Sequence, residues 1–238
     1  YKISEYGKSR FHRTKTDKQD ARLIAEYCHT AMQKDLPARQ KISIGHYRLK
    51  RLLALYDQLK TQKTAQKNRL KVAKDDFVRK IHQAQIQELD QHIQQVEEEI
   101  QAITNSNQDL KAVSDRLQTI PAIGKLTAAK LTNYLLSGDF KTANQFTAFA
   151  GLNPQQKESG TSVKGRSSMT RYGNRRLKSA LFMVALNRNY FPDFVKRLNA
   201  KNKPKMLILG ALMRKLLVVA YHVYKTQKPY NPQRYKPA

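Results

Sequence analysis

Residues 86–117 read IQELDQHIQQVEEEIQAITNSNQDLKAVSDRL, and their spacing decides the fold. Ile86, Leu89, Ile93, Val96, Ile100 and Ile103 recur at intervals of 3, 4, 3, 4 and 3 residues, and Leu110 and Leu117 extend one row at intervals of seven. An α-helix brings residues three and four apart onto one face, so this pattern is a narrow a/d seam of the coiled-coil kind. Asn107 and Ser114 fall on the other row and weaken its C-terminal end. Upstream, Leu49, Leu52, Tyr56 and Leu59 make a second stripe, continued more weakly at Leu70, Ala73 and Phe77, and no Pro interrupts residues 38–120. Two long helices with a turn near 76–85 predict an antiparallel hairpin. It reads either as a helical pair inside one globular domain or as a projecting coiled coil that dimerises. The narrow seam and very polar flanks point to dimerisation through residues 86–117.

The flanks of this hairpin differ in charge. The 238 residues carry 45 Lys and Arg against 18 Asp and Glu, a formal charge of +27. After Asp115 the only acids are Asp139, Glu158 and Asp193, so residues 116–238, with 23 Lys and Arg, net +20. Such an excess calls for a polyanionic partner, nucleic acid or an anionic membrane surface, and places a phosphate backbone on the second half. The longest apolar run, Met206 to Tyr221, is broken by Arg214 and Lys215 and reads as a buried helix rather than a membrane span. Nucleic acid is therefore the expected partner. A single Cys excludes a disulfide framework and points to a reducing, cytoplasmic compartment. The opening Tyr1-Lys-Ile-Ser-Glu-Tyr6 has neither the apolar segment of a signal peptide nor an initiator Met, which predicts a start cut short.

Residues 1–16 are polar and basic with no clear period. Thr16 with Gln19 three residues on is a capping box that opens a helix through Tyr27. Beyond the hairpin, Ile120-Pro121-Ala-Ile-Gly124-Lys125 followed by small residues resembles a helix-hairpin-helix turn, whose glycine and free N–H groups can hold a phosphate; a plain interhelical turn fits nearly as well. Gly138 is a candidate helix C-cap, and Thr142 with Gln145 opens a short helix stopped by Gly151 and Asn153-Pro154. Residues 155–172 read as an irregular loop rich in Lys, Ser and Gly, a length that usually carries function. Asn174 caps a helix from Arg175 to about Tyr190, and Pro204 opens a last one to about Tyr224.

Two constellations can carry chemistry. Asp17 and Asp20, at i and i+3, share one face of a first helical turn; they suit a hard cation such as Mg²⁺, although from spacing alone ordinary compensation of the helix dipole is the better explanation. Loop serines 159, 162, 167 and 168 lie among Lys157, Lys164 and Arg166, cations able to neutralise a scissile phosphate. From composition alone a phosphate-contacting loop with no covalent step is the better reading. Gly124, Lys125, Lys157, Lys164, Arg166, Arg171, Arg175 and Arg176 are the candidate nucleic-acid contacts.

Five segments occur in order: Lys15-Thr-Asp17-Lys-Gln-Asp20-Ala-Arg-Leu-Ile-Ala-Glu26, Ile120-Pro-Ala-Ile-Gly124, Phe149-Ala-Gly-Leu-Asn-Pro154, Glu158-Ser159-Gly160-Thr-Ser162-Val-Lys-Gly165, and Ile208-Leu-Gly-Ala-Leu-Met-Arg-Lys-Leu216. Together they resemble the insertion-sequence transposases of the 110/116/902 group, over nearly the whole chain. The resemblance implies a mainly α protein. A remnant of a RuvC-like DEDD domain would cover residues 1–40 and a coiled-coil hairpin 41–117. The C-terminal transposase domain, 118–238, would carry the serine loop. It implies that Ser159 attacks a DNA phosphodiester to form a phosphoserine link, assisted by Mg²⁺ on Asp17 and Asp20, with the two parts of the site from different subunits. It also implies a structured guide RNA, DNA of element ends and target as substrates, and dimers pairing into tetramers. The family's first Asp and its Glu would lie upstream of Tyr1, so this chain is expected to be inactive alone. A non-catalytic, dimerising nucleic-acid-binding protein and an RNA-binding accessory protein are the rival readings.

Overall fold

The computed structural model describes residues 2–9, 16–31, 43–155, 158–159, 163–164, 168–170, 172–186 and 190–235. It divides into two compact units, Tyr1–Lys41 and Ile42–Ala238. The mainly α reading holds: ten α-helices, a 3-10 helix at Pro232–Tyr235 and four two-residue strands make up the regular structure among the described residues.

The first unit pairs α1 (Lys2–Ser9) with α2 (Asp17–Ala31). Sequence periodicity missed α1, because two turns are too few for a stripe to show. Its packing is nonetheless specific. A Cβ on Gly7 would stand 2.7 Å from Leu23 Cδ2, so an alanine there would have to displace the Leu23 side chain. The Tyr6 ring meets Tyr27 edge-on at 5.4 Å. Thr16 caps α2 as expected, accepting the Gln19 amide at 3.3 Å.

The second unit is built on the hairpin of α3 (Ile44–Val72) and α4 (Asp76–Ser106). The turn falls at residues 73–75, tighter than the expected 76–85, because Asp75 caps α4 by accepting the Val78 amide at 2.9 Å. Arg79 closes the other side, donating to the carbonyls of Leu70 and Ala73. The seam's second deviation is at Asn107. It is not a polar seam position: α4 stops there, and its Oδ1 accepts the Asp109 and Leu110 amides to start α5 (Gln108–Gln118). An Asn side chain caps a helix better than it fills an apolar seam.

The seam expected to dimerise is filled within the chain. Ile93, Val96, Ile100 and Ile103 of α4 are buried against Leu49, Leu53 and Tyr56 of α3, with Leu110 and Ala129 closing the cluster. An a/d row is satisfied by any helix with a matching row, and α3 supplies one from 29 residues nearby in the same chain. Arg48 pairs with Glu99 at 2.9 Å across the hairpin, and Lys63 pairs with Asp90.

α6 (Lys125–Ser137), α7 (Ala143–Phe149), α8 (Arg175–Leu186), α9 (Pro192–Ala200) and α10 (Lys205–Thr226) surround the second core. Phe146, Leu177, Leu181, Ile208, Leu212, Leu216 and Leu217 are its centre. By length and composition alone α10 is apolar enough to cross a membrane, but it runs through this core with eleven buried residues. α9 was not foreseen: Pro192 begins it at its first position rather than only ending the helix before. His46 ties the two cores together. Its buried Nε2 lies 3.0 Å from the Asn133 carbonyl and 3.2 Å from Ser137 Oγ, joining α3 to α6.

Candidate active site

The serine segment is not an irregular loop. Two short antiparallel ladders nest within it: β1 (Pro154–Gln155) pairs with β4 (Ser168–Met169), and inside them β2 (Glu158–Ser159) pairs with β3 (Val163–Lys164). Ser159 is the register partner of Val163, and Glu158 of Lys164. Strands of two residues give no alternation to read, which is why the sequence suggested a loop. Lys157, Ser162, Arg166, Ser167 and Arg171 lie outside the described residues.

The base of this double hairpin is held by an unusual number of specific bonds. Gly151 has a left-handed φ of +72°, and a Cβ there would stand 2.1 Å from the Tyr172 carbonyl oxygen. Gly173, φ +129°, lies against the Gly151 backbone. The chain entering the hairpin thus crosses the chain leaving it, backbone on backbone. Asn174 donates its amide to the Phe149 carbonyl at 2.9 Å, and its Oδ1 caps α8 by accepting the Leu177 amide at 3.0 Å. Asn153 is the second anchor: its Oδ1 accepts from Thr147 Oγ1 at 2.8 Å and from Arg214 Nη1 at 3.0 Å. Arg214 Nη2 reaches Asn144 Oδ1 at 3.2 Å, so one α10 guanidinium ties α7 to the hairpin's entry. On the exit side, Lys178 Nζ donates to the Thr170 carbonyl at 3.2 Å. Burial first, and the Arg175 charge second, pull its pKa below that of an ordinary lysine. Met169 rests on α10 where Gly210 has no side chain; a Cβ there would meet Met169 Cε at 2.4 Å.

These contacts give the Phe149–Pro154 and Ile208–Leu216 segments a purpose in this chain: both position the serine hairpin. Sequence reading marked the segments, with Asn153 only as a helix stop and Arg214 only as a break in an apolar run, and did not mark Lys178. An arginine inside an otherwise apolar helix was the available signal. Gly151→Ala should destabilise the second unit by at least about 2 kcal/mol, since the left-handed penalty and the carbonyl clash act together. Thermal melting against Gly124→Ala checks it: nothing lies within 4 Å of a Cβ at Gly124, so that change should cost only the roughly 1 kcal/mol of an alanine at a helix N-cap.

Gly124, the N-cap of α6, presents free amides with no side-chain cap, but Lys125 beside it reaches only Gln101 Oε1, at 3.4 Å. Arg175 and Arg176 are exposed in the first turn of α8. In the other unit Asp17 is exposed and Asp20 half-buried in the first turn of α2. No cluster of three or more His, Cys, Asp or Glu gathers among the described residues. Mg²⁺ is commonly held by one or two carboxylates with water and substrate phosphate completing the octahedron, so this pair fits one such ion in kind and number.

Residues 114–196 match the model of the transposase family IS116/IS110/IS902. Over 235 residues the chain is 34% identical to the "pilin gene-inverting protein" of Moraxella lacunata, covering 96% of this chain and 72% of that one. The protein of the same name from Moraxella bovis matches to the same extent. An uncharacterised insertion element IS110 protein of Streptomyces coelicolor is 39% identical over 82 residues, covering 34% of this chain and 20% of that one.

Proposed function

The chain belongs to the IS116/IS110/IS902 transposases, a class of DNA-recombining enzymes, and we propose that it joins DNA strands through a serine nucleophile on the β2–β3 hairpin. The observation that supports this reading is the anchoring of the outer β1–β4 ladder, within whose span the β2–β3 pair lies. Both legs of that outer ladder are fixed to α7, α8 and α10 through Asn153, Asn174, Lys178 and Arg214, on the half of the chain that nets +20. A reacting group profits from being held on rigid elements, because misplacement by an ångström costs orders of magnitude in rate. Simple phosphate binding makes no such demand.

In this mechanism the Ser159 oxygen attacks a backbone phosphorus, the Ser159 proton leaves to a base or water, and the bond to the departing sugar oxygen breaks. The DNA phosphate is then carried on serine until a second strand's hydroxyl displaces it, so the bond energy is conserved and no external energy source is needed. Asp17 and Asp20 would hold Mg²⁺, and a bound Mg²⁺ would supply charge neutralisation at a phosphate oxygen. The cations of the serine segment do the same from the protein side. Strand joining is tested with plasmids that carry element ends and a target. Sequenced donor–target junctions are expected. Binding with no junctions would leave the non-catalytic reading standing.

The names of the Moraxella relatives favour a second arrangement of the same chemistry, inversion of a segment between two sites. Sites placed head-to-head on one plasmid separate the two: inversion yields a reversed segment, transposition a transfer to the second plasmid. A structured RNA partner is part of the proposal. Protein purified without nuclease should carry an RNA of discrete length, and its digestion should abolish junctions while leaving duplex binding in place.

A further inference from the structure

The hairpin and the C-terminal helices enclose an open groove of about 900 Å³ between α3, α6 and α8. Its lining carries four cations, Lys60 from α3, Lys130 from α6 and Arg175 and Arg176 from α8, against a single acid, Asp57. Asp57 sits among them as a hub. It accepts from Lys130 Nζ at 2.6 Å, and Arg176 Nε stands 3.8 Å away. The pair is largely sheltered, with the Lys130 and Asp57 side chains 12% and 24% exposed, while Arg176 is 58% exposed and open to a ligand. The Ser179 hydroxyl adds a neutral donor along the wall, while that of Thr61 donates to the Asp57 carbonyl at 2.9 Å.

We propose that this groove docks the phosphate backbone of a DNA duplex, and that Asp57 holds its cations in place until phosphate oxygens take them over. Three features select this occupant. The charge is that of a polyanion site, and surface cations with neutral donors are the usual backbone contacts. The groove is open rather than enclosed, unlike a small-molecule pocket, although Ala65, Leu126, Ala180 and Met183 line it beside the Lys, Arg, Thr, Ser and Asn side chains. Unpaired bases would want aromatic faces for stacking, and the one aromatic in the lining, Tyr56, is buried with Lys130 5.0 Å and Lys60 5.9 Å from its ring centroid. The backbone of a closed duplex needs no such platform. The proposal rests on the reading of the chain as DNA-acting but not on Ser159. It also gives α3 a task beyond packing: the hairpin forms one wall of the DNA-binding surface.

The test is anisotropy titration of the full chain with a labelled 30-base-pair DNA duplex across a salt series, beside the single strand and the RNA duplex of the same sequence. The double variant Lys60→Gln with Arg176→Gln removes two phosphate contacts. Its log–log salt slope should fall by about 1.8, equivalent to roughly 30-fold weaker binding at 0.15 M salt. Lys196→Gln on α9 with Lys201→Gln at its C-cap makes the same charge change outside the groove and should lose less than about a third of that slope. Both sites in each pair are exposed, and unchanged melting shows that the fold is intact. Asp57→Asn works in the opposite direction: removing the competing carboxylate should tighten duplex binding severalfold and steepen the slope. Equal losses in the two double variants, no tightening in Asp57→Asn, or an effect confined to the single strand or the RNA duplex would each overturn the assignment. Because the readout is binding alone, Ser159→Ala should match the unsubstituted chain here, whatever its effect on strand joining.

Discussion

Ser159→Ala should bind duplex DNA with unchanged affinity and salt slope, yet lose strand cleavage by at least about 10³-fold, since removal of a nucleophile removes the covalent route altogether. At 1.36 kcal/mol per decade that is a barrier rise of about 4 kcal/mol or more. The methyl group of alanine is smaller than the hydroxymethyl it replaces, and the β2–β3 ladder runs through backbone groups, so the hairpin persists. Asp17→Ala and Asp20→Ala should also lower cleavage, but with a change the serine variant does not show: the Mg²⁺ concentration needed for half-maximal rate should rise. Ser162→Ala should have the smaller effect. Cleavage that disappears in Ser162→Ala and survives in Ser159→Ala assigns the nucleophile to the other serine. Cleavage that survives both assigns it to water. Measuring burst amplitude and Mg²⁺ dependence on one substrate separates all three.

Ile100→Asp should unfold the hairpin core rather than separate a dimer. Ile100 is 1% exposed and faces α3, so the substitution both removes a packed side chain and strands a carboxylate without a partner. The cost should be about 4 kcal/mol or more. For a unit of this size that corresponds to roughly 8–16 °C in Tm. Ile100→Val, which keeps the shape, should cost only about 1 kcal/mol. Calorimetry of the two variants decides the matter. A folded Ile100→Asp chain with unchanged Tm and halved mass in sedimentation would return the seam to an intermolecular contact.

What the sequence disclosed, and what it hid, follow from the length over which each signal repeats. The 3, 4, 3, 4, 3 row from Ile86 to Ile103 repeats often enough to define a helix, its face and its need for an apolar partner. It says nothing about whether that partner is in the same chain. Leu49, Leu53 and Tyr56 settle that only once the turn at Asp75 folds α3 back. Caps were legible where one side chain decides them, at Thr16, Thr142 and Asn174. Asn107 was misread because the same residue type serves as a seam break and as a cap. The nested strands around Ser159 were invisible, since two residues cannot show a period of two. Gly151 and Asn153 were seen as helix stops, while their larger task, crossing and bonding the two legs of the serine hairpin, depends on Tyr172 and Arg214, which stand 21 and 61 residues away in the chain. The groove at Asp57 is of the same kind: its walls come from three helices that no local pattern connects.

The central claim is that a serine of the β2–β3 hairpin carries the DNA during strand exchange. It is met most directly by trapping the intermediate on a nicked substrate that cannot rejoin, digesting protein and DNA, and locating the residual nucleotide by peptide mass spectrometry. A nucleotide phosphate on the peptide containing Glu158-Ser159-Gly160, attached at Ser159, is the predicted result. Cleaved substrate with no protein-linked nucleotide, or a linkage on any other residue, would contradict it.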